Sequence, residues 1–143
     1  MKFLDAGLKL IKEFEGYAGT AYQDQGGRWT VGFGSTGVDI VKDLTWTQEQ
    51  AEERLLQDIL LVCKEVDALL KQPLSDSEYS ALVCFTYNVG SGNLAKSTLL
   101  NCINLLHKDQ AASEFLRWQK INGVPNPGLL RRRQAEKALF QAA

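Results

Sequence analysis

The sequence lacks the features of membrane, secreted and disordered proteins. Its 143 residues include only three prolines, and 45% of them are apolar, a composition that excludes an intrinsically disordered chain. No stretch reaches the ~18 consecutive apolar residues of a membrane span, because the longest apolar-rich segment, residues 55–70, carries four charged side chains. The opening segment MKFLDAGLK lacks the continuous apolar core of a secretory signal. We therefore expect a single globular domain that is made in the cytoplasm and does not span a membrane.

Residues that bind metal ions are also scarce. His107 is the only histidine, and the three cysteines, Cys63, Cys84 and Cys102, lie far apart without a CxxC pair. Zinc sites need closely spaced ligands of these types. We therefore predict three free thiols that fill apolar helix faces, no metal ion and no cofactor.

The net charge of the chain is also close to zero. The formal charge of −1 predicts no general attraction to nucleic acid. Residues 1–70 carry a net charge of −5 and residues 71–143 one of +4. This asymmetry is typical of unevenly charged solvated faces, but it also fits attraction between the two halves, or an anionic partner such as a cell-wall polymer.

The first third of the chain changes from a helical pattern to a β pattern. Residues 5–15 place apolar side chains at helical spacing, with Asp5 as a candidate N-cap and Gly16 just past the end. From residue 17 to residue 37 the helical spacing disappears, and glycines alternate with aromatic and β-branched residues. This segment predicts a hairpin or a three-stranded sheet, with residues 28–33 as its clearest strand.

The rest of the chain predicts helices. Thr47 with Gln50 and Ser75 with Glu78 have the spacing of capping boxes, which predicts a long helix to about residue 70 and a second one to about residue 87. Further predicted helices cover residues 97–107, 109–119 and 129–141, with a loop at 122–128.

These elements predict an α+β fold class. A small antiparallel β-sheet lobe (about 17–45) and a larger helical lobe (about 71–143 plus the N-terminal helix) are joined by the long helix. We expect a cleft between the two lobes.

Glu15, Asp24 and Thr30 are the candidate catalytic residues. Glycoside hydrolysis uses a pair of carboxyl groups, one as acid and one to activate water or stabilise the sugar cation. Five acidic pairs in the sequence are nine residues apart, but only Glu15 and Asp24 join a helix end to a glycine-rich hairpin. At a helix C-terminus the partial negative charge disfavours a carboxylate, whereas an aspartate in a wet turn stays ionised. The alternative is an ordinary helix-end glutamate and a turn-forming aspartate.

A longer pattern surrounds these residues. Residues 15–34 follow the pattern E-G-x(4)-A-Y-x-D-x(2)-G-x(2)-T-x-G-x-G, which resembles the active-site segment of the phage-type lysozymes, the endolysins of glycoside hydrolase family twenty-four. The resemblance continues over essentially the whole chain, through residues 44–51, 81–90 and 128–140. It implies a lysozyme-like fold in a phage or prophage endolysin that lyses the host cell.

The resemblance also implies a reaction and its residues. The family hydrolyses the β-1,4 bond between N-acetylmuramic acid and N-acetylglucosamine in peptidoglycan, with inversion. Carried over, Glu15 protonates the leaving oxygen, while Asp24 and Thr30 orient the attacking water. The residues implied in substrate binding are Asn88, Tyr22, Ser35 and Arg132, and Arg132 is further expected to approach Glu15. Ser35 is a departure, because the family commonly has Gly-His-Thr where this chain has Gly-Ser-Thr. A local tie between the sheet and the helical lobe is therefore expected to be missing or replaced.

The implied partners are peptidoglycan glycan strands. We expect a monomer that waits in the host cytoplasm, leaves through a holin pore and acts on the wall in the periplasm. A catalytically silent wall-binding protein on the same fold and a lytic transglycosylase are the alternatives. A nucleic-acid or regulatory helical module is disfavoured by the net charge and by the glycine-rich segment.

Overall fold

Helices form most of the chain, together with two short antiparallel pairs of strands. Residues 1–142 are described by the structure, a computed structural model. The elements are α1 (Asp5–Glu15), β1 (Ala18–Gln23), β2 (Trp29–Gly32), α2 (Gln48–Leu69), α3 (Asp76–Val89), α4 (Ser91–Lys96), α5 (Thr98–Asn104), α6 (Lys108–Glu114), one turn of 3-10 helix (Phe115–Arg117), β3 (Lys120–Ile121), β4 (Val124–Pro125) and α7 (Pro127–Phe140). The α+β class predicted from the sequence is therefore confirmed.

The chain divides into two compact units. The sheet unit comprises residues 11–61, and the helical unit comprises residues 1–10 together with the chain from Val62 onward. The sheet unit extends beyond the predicted range 17–45 because the end of α1 and the first turns of α2 belong to it. Within it, Ala51 of α2 lies against Gly32 of β2, at a point where a methyl group on the glycine would lie 3.0 Å from the alanine Cβ.

The sheet unit is built on the antiparallel pair of β1 and β2. Tyr22 lies opposite Thr30 in this pair, and the register is irregular toward its open end. An isolated antiparallel β-bridge between Thr20 and Thr45 adds one residue of a third strand next to β1. The small core beneath consists of Ala21, Val31 and Ile40, with Trp29, Leu44 and Trp46 packed against them. The predicted strand at 28–33 is thus confirmed in its central four residues.

Glycine ends the first helix where the sequence predicts. Gly16 has φ = 68°, and its N–H donates to the carbonyl of Lys12 at 3.0 Å, which closes the last turn in the manner of a left-handed C-cap. Asp5, predicted as the N-cap, is instead the first helical residue, because the carbonyl of Leu4 already accepts from Gly7 and Leu8.

Both predicted capping boxes are present. At the start of α2, the Thr47 N–H donates to Gln50 Oε1 at 2.9 Å and the Gln50 N–H donates to Thr47 Oγ1 at 3.2 Å. At the start of α3, Ser75 and Glu78 make the same reciprocal pair at 2.8 and 3.1 Å. Each box satisfies two N–H groups that have no partner inside the helix.

The last third of the chain departs from the predicted pattern. The segment 122–128 is not a loop, since β3 and β4 form a hairpin there and α7 begins at Pro127. Asn122 and Gly123 have φ values of 50° and 78°, as a two-residue turn of type I′ requires, and Asn126 caps α7 by accepting from the Leu129 N–H at 2.9 Å. Strands of two residues are too short to show an alternating pattern, and the Asn-Gly pair is their only local signal.

Two helices also differ from the prediction. The short helix α4 was not predicted, because Gly90 and Gly92 favour a break in helical structure, and the chain resumes a helix immediately after Gly90. The predicted helix at 109–119 ends as α6 at Glu114 and continues as one 3-10 turn.

The three cysteines are free, as predicted. Cys84 and Cys102 are buried and Cys63 is partly buried. The Cys84 thiol donates to the carbonyl of Gly7 at 3.2 Å, so it links α3 to α1 within the helical unit.

We predict that Cys84→Ala and Cys102→Ala each lower the free energy of unfolding by about 1 kcal/mol, because a small apolar group is lost from a packed site. Urea unfolding measures this change. The wall-degrading activity expected from the sequence should be unchanged in both variants, and loss of that activity in a folded variant would show that a thiol serves the site.

Candidate active site

Glu15 is positioned by the end of α1 and by the close approach of Gly34. The helix delivers the carboxyl group in its last residue, and the side chain is partly buried. A methyl group on Gly34 would lie 2.7 Å from Glu15 Oε1 and 3.1 Å from its Cδ, so only glycine leaves room for the carboxyl group in this position. Gly34 also has φ = 83°, which other residues rarely adopt.

Tyr22 lies near both candidate carboxyl groups. The phenol is 45% exposed on β1 and pairs across the sheet with Thr30. Its pKa is raised above the ordinary value, first by partial burial and then by the negative charges of Glu15 and Asp24. The structure therefore brings Glu15, Tyr22, Asp24 and Thr30 together in the sheet unit.

Asp24 is held as a carboxylate by backbone donors. It follows β1 directly, and its Oδ1 accepts from the N–H groups of Gly26 and Arg28, both at 2.9 Å. The Arg28 guanidinium adds a weaker contact, with Nε 3.4 Å from Oδ2. The pKa of Asp24 is lowered, mainly by the hydrogen bond from the Arg28 N–H, so this group is ionised at neutral pH as the sequence analysis expects.

Thr30 presents an acceptor oxygen. Thr30 is only 4% exposed, and its hydroxyl donates to the Arg28 carbonyl at 3.1 Å. Because that bond uses the hydroxyl proton, the remaining lone pairs of Oγ1 can accept a hydrogen bond from another molecule.

Ser35 is buried in a polar link to α2. It is 1% exposed, and its hydroxyl donates to Asp58 Oδ2 at 2.8 Å. Arg54 donates to Asp58 Oδ1 at 3.0 Å, to Asp39 at 2.6 Å and to the Thr36 carbonyl at 2.9 Å. Ser35 and Arg54 therefore both bond Asp58 within the sheet unit. The expectation about a tie between the sheet and the helical lobe stays a prediction.

Ser35 is thus buried, and the substrate-binding role that the resemblance implied for it stays a prediction. Sequence reasoning also missed Arg54 and Asp58. Their spacing of four residues on one helix was the available signal.

Asn88 and Arg132 lie in the helical unit. Asn88 is exposed in the last turn of α3, and its Oδ1 accepts from Nη2 of Arg133 at 2.9 Å. Arg132 is 3% exposed, and its Nε donates to Glu136 Oε2 at 3.2 Å. The expected approach of Arg132 to Glu15 stays a prediction.

Within residues 1–142, no group of three or more histidine, cysteine or acidic side chains is arranged to hold a metal ion. In the same residues, no helix combines the length and the hydropathy that crossing a membrane requires.

Comparison with known proteins identifies the family of this fold and site. The family model described as phage lysozyme matches residues 12–136, which include the candidate catalytic residues. The chain belongs to the phage lysozyme family. It is 42% identical to the endolysin of Acyrthosiphon pisum secondary endosymbiont phage 1 over the full length of both chains. It is 40% identical to the endolysin of Bacillus phage B103, of whose length it spans 54%.

Solved structures of related proteins have the same fold. The muramidase domain of SpmX from Asticaccaulis excentricus superimposes with a TM-score of 0.92, at 34% identity and with 99% of each chain covered. The lysozyme-like fold implied by the sequence is therefore confirmed.

We predict that Gly34→Ala displaces the Glu15 carboxyl group and lowers lysozyme activity by about 100-fold, the scale expected for a misplacement of about 1 Å. The left-handed backbone should also cost about 1–2 kcal/mol of stability. Turbidity clearing of purified cell walls and urea unfolding measure the two effects.

Gly123→Ala is the matched control. Gly123 has a similar φ of 78°, and a methyl group there would meet nothing within 4 Å. It should therefore show a similar loss of stability with normal activity. Equal activities of the two variants would contradict the steric role assigned to Gly34.

We predict that Arg28→Gln raises the pKa of Asp24 only slightly, because the backbone N–H of residue 28 remains as the main donor. An NMR titration of the Asp24 carboxyl group measures this value. A lowered pKa in the folded state stabilises the fold above the unfolded-state pKa, and this contribution is lost as the pH falls through the folded-state value. A return of Asp24 to an ordinary pKa in the variant would show that the guanidinium, not the backbone, holds the carboxylate.

Proposed function

We propose that this protein is a peptidoglycan-degrading muramidase, an endolysin that hydrolyses the β-1,4 bond between N-acetylmuramic acid and N-acetylglucosamine. The observation that carries the proposal is the placement of Glu15, Asp24 and Thr30 in one unit, at the end of α1 and on the β1–β2 hairpin, where Tyr22 lies opposite Thr30. Membership of the phage lysozyme family and the full-length similarity to endolysins support the same activity.

Glu15 is the general acid in this proposal. Cleavage of a glycosidic bond needs a proton on the leaving oxygen, and a positioned carboxyl group supplies it. The contact with Gly34 restricts where this carboxyl group can lie at the C-terminal end of α1. This restricted position supports the role of a proton donor.

Asp24 and Thr30 handle the attacking water. The Asp24 carboxylate, whose pKa is lowered, accepts a hydrogen bond from the water and takes that proton as the water attacks. Thr30 Oγ1 accepts a hydrogen bond from the second O–H, since its own proton is donated to the Arg28 carbonyl, and this second proton stays on the new sugar hydroxyl. Two acceptors fix the orientation of one water molecule. Attack by a water held on the side opposite the leaving group gives inversion at the anomeric carbon.

Asn88 and Tyr22 are the substrate-binding candidates that are exposed. The phenol and the amide both carry donors that suit the hydroxyl and acetamido oxygens of glycan strands. We expect a monomer that reaches the wall through a holin. Some relatives carry the name SAR-endolysin, among them one from Enterobacteria phage P21, and the route of release stays a prediction.

We predict that Glu15→Gln abolishes the hydrolysis of purified sacculi, because the amide has nearly the same shape but no proton to transfer. General acid catalysis contributes about 10²–10⁴-fold. Glu13→Gln is the matched control, since Glu13 is exposed on the same helix. This variant should hydrolyse sacculi at the normal rate. A normal rate for Glu15→Gln would overturn the assignment of the acid.

The products distinguish the alternatives. A muramidase leaves reducing muramic ends, and NMR of the first-formed anomer should show inversion. A lytic transglycosylase leaves anhydro-muramic ends. A catalytically silent protein binds sacculi without releasing fragments.

A further inference from the structure

A buried cluster of charged residues lies beneath Asn88. Arg133 and Glu136 of α7 are fully buried, and Arg132 is 3% exposed. Arg133 Nε lies 2.7 Å from Glu136 Oε1, its Nη2 is 3.1 Å from Glu136 Oε2, and its guanidinium stands over the Phe85 ring at 5.0 Å. The guanidinium plane is thus held by an ion pair at its edge and by a ring on its face.

This cluster determines which way the Asn88 amide points. An asparagine side chain has one acceptor oxygen and one NH₂ group with two donors, and a guanidinium can only donate. The bond of 2.9 Å from Arg133 Nη2 therefore requires the Asn88 oxygen on the inner side and places the NH₂ group away from Arg133. Among residues 1–142, no acceptor takes a hydrogen bond from that NH₂ group.

We propose that Arg133, held in place by Glu136, is a positioning residue that orients the Asn88 amide so that its two donors face an acceptor oxygen of the glycan. The partner group is an acetamido carbonyl oxygen of the glycan, which accepts hydrogen bonds and cannot donate them. This inference rests on the proposed function and adds to it the polarity of one substrate contact and the buried residues that set it.

Asn88→Asp separates this role from a purely structural one. The carboxylate has the same shape, pairs with the Arg133 guanidinium and should leave the protein as stable as the wild type or more stable. Its outer oxygen can only accept, so it should repel the glycan oxygen. We expect KM for soluble peptidoglycan fragments to rise by about tenfold or more, the loss of one good hydrogen bond, with little change in kcat.

Asn88→Ala is the second variant. It removes the donors without adding repulsion, and it takes away an acceptor from Arg133. KM should therefore fall between those of the wild type and Asn88→Asp, whereas stability in urea should be the lowest of the three. KM values that follow the order of stabilities would overturn the proposal, as would an unchanged KM in Asn88→Asp.

Arg133→Lys tests the positioning step. A lysine keeps the charge but cannot bond Glu136 and Asn88 with a planar fork. It should raise KM in the wild-type background and have no further effect on KM in Asn88→Ala. Additive effects of the two substitutions on KM would show that Arg133 acts on the fold alone.

Binding without turnover distinguishes a failure of this inference from a failure of the proposed function. Co-sedimentation of Glu15→Gln with purified sacculi should weaken when Asn88→Asp is added. Hydrolysis by the wild type together with unaltered binding of the double variant would overturn the orientation of Asn88 and leave the muramidase proposal intact. No binding of Glu15→Gln to sacculi and no hydrolysis by the wild type would overturn both.

Discussion

Glu15 lies at a point where two glycines in the left-handed conformation restrict the chain. Gly16, with φ = 68°, ends α1 immediately after Glu15, so the carboxyl group sits at the helix terminus and the chain turns into β1. Gly34, with φ = 83°, brings the backbone after β2 so close to the carboxyl group that a methyl group would overlap it. The place of the proposed acid thus depends on backbone conformations that a side chain at either position would strain.

The two candidate carboxyl groups are held by different means. Backbone N–H groups in the turn between β1 and β2 bind the Asp24 carboxylate, and any substitution other than proline leaves these donors in place. Glu15 is placed by the last turn of α1 and by the close approach of Gly34. The turn donors favour the charged form of Asp24, which suits the base role, whereas the contacts of Glu15 determine where a proton donor would stand.

The features that the sequence predicts correctly depend on short, local patterns of residues. The two capping boxes, the end of α1 at Gly16 and the hairpin that carries Asp24 and Thr30 each depend on residues within a few positions of one another. The features that were missed depend on tertiary contacts. From the sequence, Ser35 is only the loss of a residue that could carry a charge, and the structure shows that its hydroxyl and Arg54, one helical turn before Asp58, both bond that aspartate. The strands β3 and β4 have only two residues each, and no periodicity is visible at that length.

The buried charges of α7 show that residues 128–140 do more than form a helix that packs on α3. Replacing a buried ion pair by apolar side chains of similar volume is often neutral or stabilising, so stability alone does not explain two arginines and a glutamate in the interior. An apolar residue at position 133 could fill the space over Phe85, but it could not donate to Asn88 Oδ1. Glu136 supplies the counter-charge of the guanidinium, and Nη2 donates both to Glu136 Oε2 and to the surface amide of Asn88. A buried cation with its counter-ion is thus the means by which this fold gives an exposed asparagine a single orientation.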